Sequence, residues 1–132
     1  MKHALIIIAF LVVGLNSIAQ TDKAVVTNLS AEDFKNAIST DKQANIIDLR
    51  TDAELKKGYI KGAKQIDYLG KGFDGEMAKL DKNKTYYIYC QSGGRSSDAA
   101  EYMEKQGFKK VITLEKGFSD WKTKGYAIEN KK

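Results

Sequence analysis

Short, nearly continuous apolar runs recur along this chain, separated by segments with helical spacing. Residues 44–49 (ANIIDL), 85–89 (TYYIY) and 110–114 (KVITL) are the clearest runs. They are too apolar throughout for strands with one wet face, so they predict strands buried on both sides. Residues 96–106 lie between the last two runs. They place Ala99, Ala100 and Met103 on one helical face and are followed by Gly107. Strands that alternate with helices pair in parallel and carry helices on both faces. The expectation is a three-layer α/β domain with a central, mostly parallel sheet of about five strands.

Weaker signals fill in the pattern. Residues 24–29 (AVVTNL) and 63–68 read as further strands. Ser30 stands as an N-cap before Phe34, Ala37 and Ile38 at helical spacing, with Asp33 three residues on. Thr51 caps a short helix that stops at Gly58. Residues 73–80 read as a helix with Met77 and Leu80 facing in, and residues 118–122 as a short helix around Trp121. Residues 20–23 and 129–132 read as loose ends.

The first nineteen residues belong to a different kind of segment. Lys2 provides a basic start, residues 4–15 form an uncharged apolar run of twelve, and Ser17 and Ala19 are small. This is the pattern of a secretory signal, with cleavage expected between Ala19 and Gln20. The rival reading is an uncleaved anchor, but twelve apolar residues are short of the roughly 20 that span a bilayer. No cysteine follows the run, which argues against a lipid anchor there. The expectation is an exported protein, periplasmic or secreted, with residues 20–132 as its one domain and no stable membrane insertion after cleavage. Removing 19 residues from 132 leaves 113. A domain of that size buries roughly 65% of its unfolded surface, enough for one core.

Cleavage would also remove His3, the one histidine. Cys-His and Ser-His pairs and histidine metal ligands are then ruled out, and no metal or cofactor is expected. The net charge of +5 comes from 20 lysines and two arginines spread among 17 acids. Such interleaving reads as a solvated surface and not as a nucleic-acid site. Arg50 and Arg95 stand out against the lysine background, since arginine suits places that need a planar fork of donors.

Cys90 is the single cysteine. Exported chains usually pair their cysteines, so a lone thiol is either buried and inert or kept for its reactivity. Its context favours the second reading. Cys90, Gln91, Ser92, Gly93, Gly94, Arg95 and Ser96 run from a strand end into a helix start. A helix start offers unpaired N–H groups and partial positive charge. Gly93 and Gly94 let successive amides turn inward around an anion. With Arg95 nearby, these features favour thiolate over thiol.

This segment resembles the active-site loop of the single-domain rhodanese-like family. Two flanking stretches agree. Ile47, Asp48, Leu49, Arg50 and Thr51, with Glu54, Gly58, Ile60, Gly62 and Ala63, are similar to the family's first signature. Residues 114–121 (LEKGFSDW), with Gly125 and Tyr126, are similar to its last. Tyr59 and Lys61 stand where the family usually has histidine and proline, and Lys116 where glycine is common. The resemblance implies a sulfurtransferase in which Cys90 becomes a persulfide. The donor would be a small sulfur compound such as thiosulfate, and the acceptor cyanide, a thiol or a protein. Residues 91–96 would hold the sulfur or the incoming anion, and Asp48, Arg50 and Glu54 would form a structural polar network beside the site. A general acid/base role for Asp48 and Glu54 is disfavoured, because thiolate attack on sulfur abstracts no proton from carbon or oxygen.

Two rivals remain. A cysteine-dependent phosphatase or arsenate reductase would use a similar cradle. The related phosphatases resemble this chain less, since they carry a seven-residue loop and a histidine before the cysteine, where this chain has a six-residue span from Cys90 to Arg95 and Tyr89. A non-catalytic binding or redox module of the same family would be expected to lack the cysteine or the arginine.

Overall fold

A computed structural model describes residues 23–130. The expected signal segment, residues 1–19, lies outside the described residues, as do the last two lysines. Five strands alternate with five helices: β1 (Val25–Leu29), α1 (Ala31–Thr40), β2 (Asn45–Asp48), α2 (Asp52–Leu55), β3 (Lys64–Gln65), α3 (Phe73–Ala78), β4 (Thr85–Tyr89), α4 (Gly94–Lys105), β5 (Lys110–Leu114) and α5 (Gly117–Thr123). They form one sheet in the order β1-β5-β4-β2-β3 with every pairing parallel.

The apolar runs are explained by what covers each face. In β4, Tyr86 and Ile88, followed by Cys90, point to one side and pack with Phe73 and Met77 of α3 and Ala99, Ala100 and Met103 of α4. Tyr87 and Tyr89 point to the other and pack with Phe34 of α1 and Phe118 and Trp121 of α5. The period of two thus sends alternate residues into two cores. Both sides of a central strand are dry, so neither set is polar. Ile88 is completely buried, and its truncation to Ala should cost about 2–5 kcal/mol.

Local chemistry sets the boundaries. The Ser30 side chain accepts the Asp33 N–H and starts α1. Thr51 and Glu54 form a reciprocal capping box that starts α2. The third strand is shorter than the run at 63–68 suggested. It is an edge strand, and after Gln65 the Asp67 carboxylate accepts the Leu69 N–H. That contact turns the chain, while Tyr68 packs on the Phe73 ring at 5.0 Å. The helix expected to reach residue 80 stops at Ala78, where Lys79 and Leu80 close it with tighter, three-residue bonds. Glu129 is not loose: it exchanges backbone hydrogen bonds with Tyr59, both at 2.8 Å. This gives Tyr59 a backbone role in pinning the C-terminal segment.

Candidate active site at the cysteine loop

Strand β4 ends at Tyr89, and helix α4 begins at Gly94. The helix therefore starts two residues earlier than the sequence suggested. Gly93 is its N-cap, with φ of 105° and no capping side chain. That backbone region suits glycine. A Cβ on Gly93 would also collide with the Glu115 carbonyl oxygen, so the residue is fixed by conformation and by space. The early start brings the first free amides of α4 directly against Cys90.

Cys90 Sγ accepts the Gly93 N–H at 3.1 Å and the Ser96 N–H at 3.3 Å. The Ser96 hydroxyl lies 3.5 Å from the sulfur and donates to the Gly93 carbonyl at 3.1 Å. Cys90 is only 1% exposed and belongs to the apolar core beneath α4. The sequence reading set burial against reactivity, and the structure combines them. Burial is the largest single influence and opposes ionisation. It is outweighed by the Ser96 hydroxyl and the amides of Ser96, Gly93 and Ser92, which together hold the thiol below its ordinary value. The loop amides and one hydroxyl therefore do most of the work that the sequence reading shared with Arg95.

Arg95 is held elsewhere. Its guanidinium donates to both carboxylate oxygens of Glu54, at 2.9 and 2.6 Å. Glu54 is itself fixed by the Thr51 N–H at 2.9 Å and the Thr51 hydroxyl at 3.0 Å. The Arg95 contact, opposed by burial and helped by Thr51, takes the Glu54 carboxyl down to about 2.

The polar residues after β2 form a second, deeper arrangement. Arg50 is 1% exposed and Asp48 wholly buried. Arg50 donates from Nε and Nη2 to Asp48, from Nη2 to the Gly58 carbonyl at 2.8 Å, and from Nη1 to Gln91 Oε1 at 3.1 Å. Its guanidinium also lies 4.0 Å from the Phe118 ring centre. A buried charge needs this degree of pairing. The expected single network of Asp48, Arg50 and Glu54 is thus two pairs. Arg50 with Asp48 supports the Gln91 side chain from below, and Glu54 holds Arg95. Ser92 and Gly94 are exposed at the loop surface, and Ser96 is buried beneath it.

The sequence reading missed the support for the loop from β5 to α5. Phe118 donates its N–H to the Cys90 carbonyl at 2.8 Å, and Ser119 donates to the Gln91 carbonyl at 3.0 Å. Gly117 makes this approach possible. Its φ is 68°, and a Cβ there would stand 2.5 Å from the Gln91 carbonyl and 2.7 Å from the Cys90 oxygen. With their carbonyls drawn toward α5, Cys90 and Gln91 leave the amides of Ser92, Gly93 and Ser96 to face the sulfur. The signal was a glycine between a strand and a helix, already part of the last signature but unassigned.

Among the described residues, no cluster of His, Cys, Asp or Glu could hold a metal ion, and no helix is long and apolar enough to cross a membrane.

Comparison with known proteins agrees with this geometry. The family model described as the rhodanese-like domain matches residues 30–124. YrkF of Bacillus subtilis, to which a sulfur-carrier role is ascribed, is 40% identical over 100 residues. The match covers 73% of this chain and 51% of YrkF, so this chain corresponds to about half of that relative. A sulfurtransferase of Allochromatium vinosum is 30% identical over 105 residues, covering 79% of this chain and 95% of the relative. The crystal structure of a rhodanese-like domain protein from Staphylococcus aureus superposes with a TM-score of 0.69 at 32% identity, covering 80% of this chain and 99% of that one.

Proposed function

The chain belongs to the rhodanese-like family, and from that premise we propose that it is an exported sulfurtransferase that carries sulfane sulfur on Cys90. The observation that carries this reading is the convergence of the Gly93 and Ser96 amides and the Ser96 hydroxyl on one buried sulfur. A group so surrounded is suited to negative charge, whether the charge sits on the thiolate or on a persulfide one atom longer.

With thiosulfate as donor, the Cys90 thiolate attacks the outer sulfur. A new S–S bond forms to Cys90, the S–S bond of thiosulfate breaks, and sulfite leaves with the bonding electron pair. The product is a Cys90 persulfide anion. Cyanide or a second thiolate then attacks the outer sulfur and leaves as thiocyanate or a new persulfide, which restores the Cys90 thiolate. No histidine is needed at either step, because every attacking group is already an anion. A phosphate ester fits less well, since a six-residue span offers less room for a tetrahedral group than the seven-residue loop of the related phosphatases.

The reading is tested by mixing the purified protein with thiosulfate and then cyanide and measuring thiocyanate. Cys90→Ser should abolish it, and thiocyanate formation by that variant would remove Cys90 as the carrier. Export is proposed from the basic start, the twelve-residue apolar run and the small residues at Ser17 and Ala19. N-terminal sequencing of protein from the producing cell should begin at Gln20 or its cyclised form. Full-length protein embedded in the inner membrane would contradict export with cleavage after Ala19.

A further inference from the structure

The arginine of the cysteine loop does not stand as a free charge. Arg95 is the arginine of the loop, and Glu54 occupies two of its N–H donors at 2.6 and 2.9 Å. This pair is partly buried, with side chains 22% and 29% exposed, so water screens it only in part. Glu54 cannot swing away freely, because the Thr51 amide and hydroxyl hold the same carboxylate. A second acid, Asp67 in the turn after β3, acts on Arg95 through space, as does Cys90 itself. Of these, Glu54 is the one in direct contact with the guanidinium.

Resting on the sulfur-transfer reading, we propose that Glu54, hydrogen-bonded twice to Arg95, is a specificity-determining residue that offsets its charge and selects sulfur donors of low negative charge over dianions such as thiosulfate. The loop amides still stabilise the single charge of a thiolate or persulfide. Arg95, the arginine of the loop, is already paired with Glu54 and so offers less net charge to the sulfonate end. Coulomb energy scales with the product of charges, so a nearby carboxylate raises the cost of approach about twice as much for a dianion as for a monoanion. Long-range attraction or repulsion at a site mouth also acts on capture more than on the bound chemistry.

Methanethiosulfonate makes a clean comparison with thiosulfate. It is a monoanion that delivers the same outer sulfur and releases methanesulfinate in place of sulfite. The wild-type protein should take methanethiosulfonate at a lower KM than thiosulfate. Glu54→Gln keeps an oxygen for Thr51 and removes the charge. It should lower the thiosulfate KM by about three- to tenfold, improve methanethiosulfonate by about the square root of that factor, and leave the change in KM and not in kcat. Added salt should then reduce kcat/KM for thiosulfate more steeply in the variant than in the wild type. Asp67→Asn, which does not touch Arg95, should move the same quantities in the same direction by less, and it serves if Glu54→Gln fails to fold. A thiosulfate KM that is unchanged or raised in both variants would overturn the proposal, as would equal improvement with both donors. If the wild-type protein takes sulfur from neither donor, the sulfur-transfer reading itself fails and this proposal falls with it.

Discussion

The Phe118 N–H reaches the Cys90 carbonyl oxygen at 2.8 Å, from a turn that begins at Gly117. The reactive loop is therefore built from two directions. Helix α4 presents donors to the sulfur, and the first turn of α5 draws the loop carbonyls the other way. Ser119→Pro removes one N–H from that turn and strands the Gln91 carbonyl. Its side chain is exposed, so little else is lost, and Ser119→Ala is the control. The proline variant should lose about 1–3 kcal/mol in urea unfolding and raise the apparent pKa of Cys90 in alkylation. Gly117→Ala should do both more severely, because it meets backbone at 2.5 Å. Normal alkylation in a folded Ser119→Pro protein would mean that α5 does not set the loop.

The Ser96 hydroxyl has one proton, now directed at the Gly93 carbonyl, 3.1 Å away. Ionisation of Cys90 gives that proton a second acceptor 3.5 Å away. The rate of iodoacetamide alkylation should rise with a midpoint below that of an ordinary thiol. Ser96→Ala should move the midpoint upward, by less than the loss of a lone donor would, since the neighbouring amides compensate in part. A midpoint unchanged in Ser96→Ala would assign the thiolate to the amides alone.

The Glu54–Arg95 pair has a consequence for acid stability. Glu54 titrates near 2 in the folded protein against 4.5 unpaired. A depressed carboxyl pKa means that the unfolded chain binds the proton first. The pair's contribution is complete above about pH 4.5 and is lost as pH falls toward 2. Partial exposure limits it to on the order of 1 kcal/mol. Denaturant unfolding at pH 7 and pH 3 should therefore show a smaller pH difference for Glu54→Gln than for the wild type. An equal difference would locate the acid sensitivity elsewhere.

Much of this architecture was legible in the sequence. The parallel sheet followed from strands such as TYYIY that are apolar on both faces, and β4 and β5 lie at the expected residues because they sit in the middle of the sheet. The edges were harder. Strand β3 covers Lys64–Gln65 alone, although Ile66 and Tyr68 still donate to the Asp48 and Leu49 carbonyls, and the turn at Asp67 that follows leaves no period in the sequence. Cys90, Gly93 and Ser96 were legible as a group because they are adjacent. The separate pairing of Glu54 with Arg95 and of Arg50 with Asp48 and Gln91 was not. Glu54–Arg95 and Arg50–Gln91 each join residues 41 positions apart, and spacing alone does not say which carboxylate meets which arginine. Gly117 belonged to a recognised signature, but its task depends on how closely α5 approaches the Cys90 carbonyl.

Sulfur carried on Cys90 is visible to intact-mass spectrometry without any acceptor present. After incubation with excess thiosulfate, the wild-type protein should gain the mass of one sulfur atom, and cyanide should remove it as thiocyanate. Cys90→Ser should fold and gain nothing. A wild-type mass that stays unchanged with thiosulfate and with methanethiosulfonate would contradict the account, as would a sulfur adduct that persists in Cys90→Ser.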